Sequence, residues 1–272
     1  MTTTIAVAGK GGTGKTTVAA LIIRYLGENF RNDGQRNAVL AIDADPSSNL
    51  NDVLGLQVHG TIGDIREDML DQVQASSVAA GAMPGGMSKQ DYLDYQIRMA
   101  LVEGDHVDLL AMGRPEGPGC YCAANQMMRV IVDRMGSHYD YVVIDNEAGM
   151  EHISRRTTRN VDHLLLVTDL SQRGVTAVQR IVEMVPGLDV SVAKMYLIVN
   201  RVTGDRLPPP LDAVVQDLVQ NLGIELIGTI PNDALMSEYE FSGRPLIALP
   251  RNAPVVQAVY RIVERCKLNV KS

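Results

Sequence analysis

The sequence has few cysteines, no long apolar run and no excess of positive charge, and each shortage removes a class of protein. Three cysteines in 272 residues are too few for a disulfide framework, so cysteine here means chemistry or packing. No segment approaches the apolar length that spans a bilayer. The start, Met1-Thr2-Thr3-Thr4-Ile5-Ala6-Val7, has neither a basic stretch nor a cleavage site. A cytoplasmic protein with no membrane partner is expected. A net charge of -7 argues against a nucleic-acid partner, because neutralising phosphates demands a basic face. The cluster Arg155, Arg156 and Arg159 is local, and reads either as a solvated helix face or as a docking patch. Long-period repeats and low-complexity tracts are also missing.

What is present is a chain able to bury a large core, with 46% hydrophobic and 21% charged residues. Short apolar runs at Ile5 to Ala8, Ala38 to Ile42, Val107 to Met112, Tyr141 to Ile144, Leu164 to Val167, Tyr196 to Val199 and Ile224 to Ile230 read as strands buried on both faces. Helical patterns lie between them, near Thr16 to Tyr25, Ala124 to Met135, Val175 to Val185, Leu211 to Asn221 and Ala253 to Cys266. Strand, crossover helix and strand in repetition predict an α/β fold, a doubly wound and mainly parallel sheet flanked by helices. One domain over residues 1–272 is expected. The stretch from about 58 to 104 breaks the rhythm and reads as a helical insertion around Gly81-Ala82-Met83-Pro84-Gly85-Gly86.

Gly9-Lys10-Gly11-Gly12-Thr13-Gly14-Lys15-Thr16 satisfies the G-x-x-x-x-G-K-[ST] pattern between a predicted strand and a predicted helix, the context that this phosphate-binding loop requires. Glycines let backbone N–H groups converge on phosphate oxygens, and the helix adds its positive end. The loop Gly11, Gly12, Thr13, Gly14, Lys15, Thr16 and Thr17 is thus expected to hold the phosphates of ATP. Lys15 would reach the β and γ phosphates, and the Thr16 hydroxyl would ligate Mg2+.

Lys10 places a second lysine inside the loop. The run Lys-Gly-Gly-Thr-Gly-Lys-Thr resembles the deviant Walker A motif of the family that includes nitrogenase iron protein, septum-site ATPases and metallocentre maturation ATPases. That resemblance implies a homodimer closed by ATP, with Lys10 crossing to the nucleotide of the facing subunit. Without it, Lys10 is a solvated loop charge. Asp43-Ala44-Asp45-Pro46 follows the second predicted strand, at the carboxyl end where ligands bind in open sheets. The resemblance gives Asp45 the orientation of the attacking water and leaves Asp43 to the Mg2+ shell or the strand end. Asp145 ends the run Tyr141-Val142-Val143-Ile144, as expected of a residue that holds a water on Mg2+, with Gly149 sensing the γ phosphate. Asn200 and Arg201 end another predicted strand, and Pro231 and Asn232 the next. The family reads the base at these places, Asn200 with its side-chain amide; a strand-end cap and a turn are the alternatives.

Cys120-Tyr121-Cys122 puts two thiols on one side of an extended segment, half of a four-coordinate site. Two chains meeting on a twofold axis would complete it; otherwise these are loop thiols without a ligand. The segments Gly113 to Cys122, Asp145 to His152 and Ser154 to Thr158 resemble the CooC-type ATPases that assist nickel insertion into carbon monoxide dehydrogenase. The similarity runs from Ile5 to about Leu249 and includes Ile198 to Val202 and Ser242 to Leu246. It implies an ATP-hydrolysing metallochaperone with Ni2+ or Zn2+ on Cys120 and Cys122 of both subunits, and a carbon monoxide dehydrogenase or acetyl-CoA synthase client. A tetrahedral thiolate set suits zinc and a square-planar one nickel, and the absence of a histidine-rich stretch argues against storage. Two other classes stay open: an iron-sulfur or redox carrier ATPase, and a nucleotide-switched interaction protein without metal.

Overall fold

The computed structural model describes residues 2–29, 34–75, 86–113, 134–147, 160–188, 190–204 and 207–267. In chain order the elements are β1 (Thr3–Gly9), α1 (Lys15–Glu28), β2 (Val39–Ala44), α2 (Leu50–Leu54), α3 (Ile62–Ala75), α4 (Lys89–Ala100), β3 (Val102–Glu103) and β4 (Asp108–Ala111). They continue with β5 (Tyr141–Asn146), β6 (Asn160–Thr168), α5 (Gln172–Met184), β7 (Ser191–Val202), α6 (Pro209–Leu222), β8 (Glu225–Pro231), α7 (Ala234–Phe241) and α8 (Pro254–Arg265). The strands form one sheet in the order β3-β4-β2-β5-β1-β6-β7-β8. Every pairing is parallel except the short edge pair β3 with β4. The expected α/β fold is the one observed, with the antiparallel edge strand as an addition.

Alternation along the strands explains the layers. Ile5, Val7, Ala41, Val143, Leu165 and Ile198 point to one face, where α1 and α8 cover them. Their neighbours point to the other face: Leu40, Ile42, Val142 and Ile144 meet α3 and α4, while Ala6, Leu166, Leu197 and Val199 meet α5 and α6. A parallel sheet covered on both faces must be apolar on both. That is why the strands read as unbroken runs rather than alternating ones. α1 is buried along nearly its whole length, and Arg24 on it donates to the Leu249 carbonyl at 2.6 Å and to Glu28 at 2.8 Å. Glu28 in turn accepts from Tyr260 of α8 at 2.8 Å, so these two helices are joined by polar bonds as well as by apolar packing.

Two helices, α3 and α4, occupy part of the stretch that breaks the sequence rhythm. The pattern from Ala124 to Met135 lies almost entirely outside the described residues, as do Cys120 and Cys122. α7 carries little apolar periodicity, burying only Met236 and Tyr239; its cap makes it. The buried Asp233 accepts from Leu235 N at 2.9 Å, which starts α7, and from Val255 N at 3.1 Å, which starts α8. One carboxylate therefore satisfies a free N–H at each of two helix starts. Asp233→Ala is expected to lower unfolding free energy by about 2 kcal/mol, about 1 for each cap, in urea denaturation. A loss no larger than that of an ordinary surface substitution would show that the two caps are idle.

Candidate functional site

All the sequence-predicted loop residues leave the C-terminal edge of the sheet at its centre, where β1 passes into α1. Gly9 has a φ of 152°, and a Cβ there would come within 2.1 Å of the Val167 carbonyl of β6. Gly14, at φ 91°, is pressed by Asn200, whose Nδ2 would lie 2.3 Å from an added Cβ. Between them the loop folds on itself. The Lys10 carbonyl accepts from Thr13 N at 3.3 Å, from Thr13 Oγ1 at 2.8 Å and from Lys15 Nζ at 3.3 Å. Gly11 and Gly12 are exposed, whereas Thr13, Lys15 and Thr17 are buried.

The electrostatics centre on Lys15. Burial pushes its ammonium below the ordinary value, and Asp145, Asp45 and Glu147 pull it back up, so three carboxylates from two different strand ends face one cation. Asp145 is 1% exposed. Burial pushes its carboxyl up to about 7, a rise that a hydrogen bond from the Thr16 hydroxyl and the charge of Lys15 oppose and the charges of Asp43 and Asp45 reinforce. Its Oδ1 is buried with no hydrogen-bond partner. An orphaned carboxylate oxygen beside a threonine hydroxyl is a hard oxygen donor set, which is what Mg2+ takes, and unsatisfied buried acceptors call for such an explanation. Thr16 and Asp145 therefore fit Mg2+ as oxygen donors.

Asp45 and Asp43 divide the work at the end of β2. Asp43 is fully buried, and its carboxylate accepts from Asp45 N at 3.1 Å and from Leu50 N at 3.0 Å. Burial pushes its carboxyl up to about 6, against the pull of those backbone bonds and of one from Asn49. Of the two places left to Asp43 by the sequence, its contacts are those of the strand end: it holds the turn that carries Asp45 and the start of α2. Asp45 accepts from Ser47 N at 2.8 Å and lies close enough to influence Lys15 and Asp145.

On the other side of the loop, Asn200 donates to the Thr13 carbonyl at 2.8 Å and accepts from Arg201 N at 2.8 Å. Each end of its amide makes one bond to the chain, which leaves a second N–H and a second lone pair free for a further partner. Arg201 has a φ of 58° and is exposed. Asn232 N donates to the Val202 carbonyl at 3.0 Å, which sets Arg201, Pro231 and Asn232 side by side at the ends of β7 and β8.

Lys10, Lys15, Thr16, Asp45, Asp145, Asn200 and the loop glycines are all brought to one edge. Gly149, Cys120 and Cys122 lie outside the described residues, and the described residues alone contain no group of three or more His, Cys, Asp or Glu side chains that could hold a metal ion. Sequence reasoning passed over Asn146. Its side chain donates to the Val7 carbonyl at 2.9 Å and to the Ile144 carbonyl at 3.3 Å, and so clamps β5 to β1 beside Asp145. A polar residue ending an apolar strand next to Asp145 was the available signal.

Comparison with known proteins agrees with this geometry. An uncharacterized ATP-binding protein of Methanocaldococcus jannaschii is 42% identical over 261 residues, 96% of this chain and 97% of that protein. The carbon monoxide dehydrogenase accessory protein CooC of Rhodospirillum rubrum is 28% identical over 247 residues, 88% of this chain and 87% of its own. Among solved structures, the septum site-determining protein MinD of Pyrococcus horikoshii, complexed with Mg-ADP, matches with a TM-score of 0.67 at 22% identity, covering 100% of both chains. Residues 4–246 match the CobQ/CobB/MinD/ParA nucleotide binding domain, and with the loop, the sheet order and the carboxylates in place the chain belongs to that family.

Proposed function

We propose that this chain is an ATP-hydrolysing metallochaperone, a homodimer when ATP is bound, that carries nickel to carbon monoxide dehydrogenase or an acetyl-CoA synthase assembly. The observation that carries the ATPase part is the cluster of Lys15 with Asp45, Asp145 and Glu147 at the mouth of the loop. Phosphate oxygens arriving there give the buried ammonium partners better than the Lys10 carbonyl that it now holds. Thr16 and, through water, Asp145 would hold Mg2+, which would supply charge to neutralise the β and γ oxygens. Asp45, held by Asp43 at the rim, orients a water in line with the γ phosphorus and takes its proton as the bond to the leaving ADP breaks. Gly149 follows Asp145 closely in sequence and senses the γ phosphate, and Arg201, Pro231 and Asn232 border the base.

The metal part is supported by Cys120-Tyr121-Cys122 and by the likeness to CooC, whose name ties it to carbon monoxide dehydrogenase. Two thiolates from each subunit make one four-coordinate site for Ni2+ or Zn2+ only when two chains face each other. A second reading, a nucleotide-switched partner protein, is favoured by the likeness to MinD. The apolar stripe of α8 gives it no help, since Val255, Val256, Val259, Ile262 and Val263 are all buried in the core.

Lys15→Ala is expected to weaken ATP binding about 10- to 100-fold, the loss of one or two charge-assisted bonds at about 1.5 kcal/mol each. Calorimetry with an unchanged affinity would contradict the role given to Lys15. Lys10→Ala should keep most of the affinity and lose turnover, and Asp45→Asn should bind ATP and remain a dimer in sedimentation. A monomeric, ATP-loaded Asp45→Asn protein would separate nucleotide from dimerisation.

Zn2+ or Ni2+ should drive association even without nucleotide, because metal and dimer favour each other by one coupling free energy. Binding should weaken as pH falls and protons compete for sulfur. The double variant Cys120→Ala, Cys122→Ala should bind ATP normally and fail to associate with metal. Full metal binding by that variant would leave the switch reading in possession.

A further inference from the structure

A cavity of about 420 Å3 lies between α4, the edge strand β3 and the segment that leads into β5. β4 starts beside it at Asp108 and β5 follows it at Tyr141, so it sits at the edge of the sheet opposite the phosphate loop. The proposed function makes no use of it. Along α4 and its end, Asp94, Ile97, Arg98 and Leu101 recur three and four residues apart, which sets them on one stripe that lines the cavity. Ile97, Leu101 and Met135 make its apolar wall. Two polar bonds brace the sides: Arg134 pairs with Asp94 at 3.1 Å, and the Tyr139 hydroxyl donates to Asp108 at 2.7 Å.

Three lining groups are uncommitted. Arg98, Glu103 and His138 have no side-chain hydrogen bond or ion pair among the described residues, so Arg98 and Glu103 face one cavity without pairing across it. Charge then decides what the lining accepts. Its two guanidinium groups, Arg98 and Arg134, are matched by two carboxylates, Asp94 and Glu103, and a nucleotide or other polyanion would meet as much repulsion as attraction there. A ligand with one charge of each sign is matched by both free groups at once. We propose that this cavity is a second ligand site, for a zwitterion of about dipeptide size with an apolar body: Arg98 takes its carboxylate, Glu103 its ammonium, and Ile97, Leu101 and Met135 its side chains. The volume agrees, being near the lower end of the roughly 300–1,000 Å3 of small-molecule sites.

Calorimetry of the full chain with L-leucyl-L-leucine should show saturable binding of one dipeptide per chain. Acetylating its amine or amidating its carboxylate should weaken that binding about 3- to 10-fold each, the worth of one charge-assisted bond partly screened by water. Arg98→Ala and Glu103→Gln change exposed side chains, so the fold is kept, and each should cause a loss of the same size. The two sets of changes must also match. In Arg98→Ala the amidated dipeptide should bind as well as the unmodified one, and in Glu103→Gln the acetylated one should, because each variant has already lost the partner of the altered group. Arg261→Ala, at an exposed arginine of α8 on the other face of the sheet, should bind like the parent chain. The absence of saturable binding, equal affinity for all three peptides, or a loss in Arg261→Ala as large as in Arg98→Ala would overturn the proposal.

Discussion

A buried ammonium that must stay charged is the constraint from which the rest of the edge follows. Removing Lys15 from water disfavours its charged form, and burial also raises the carboxyl of Asp145, which acts on it, to about 7, and that of Asp43, which acts on Asp145, to about 6. Neither side is comfortable alone. The cluster holds because the strands that carry it are locked by apolar packing on both faces, so the charges cannot separate toward solvent. Asn146 clamps β5 to β1, Asp43 holds the turn after β2, and Asn200 reaches from β7 to the Thr13 carbonyl. Each is a polar bond at the end of an apolar strand, and together they fix the loop between Gly9 and Gly14 against its neighbours.

Such a site is built for a ligand and not for its own stability. Asp145 Oδ1 lacks a partner, and the Lys15 ammonium settles on a backbone carbonyl of its own loop. In the proposed function both groups would gain partners from phosphate and Mg2+. Binding energy at these atoms is the physical means by which a nucleotide can be coupled to a change of shape.

Much of the fold was legible because burial on two faces leaves an unmistakable record: the runs Tyr141 to Ile144 and Leu164 to Val167 admit few readings other than strands of a covered parallel sheet. α7 was not legible, since its short apolar sequence lacks a helical stripe and its start is set by Asp233 bonding two helices at once. The loop was read residue by residue from its glycines and lysines. The supporting residues were not, because their reasons are distant in sequence: Asn200 meets Thr13, and Asn146 meets Val7, only after the sheet has formed.

The central claim is that nucleotide and metal share one assembly, and the mass of that assembly tests it most directly. Native mass spectrometry of the full chain, prepared anaerobically with Ni2+, Mg2+ and a non-hydrolysable ATP analogue, should give a species of two chains, two nucleotides and one nickel ion, as a twofold-shared thiolate site requires. A nickel ion on each separate chain, or a nucleotide-bound dimer that carries none, would contradict it.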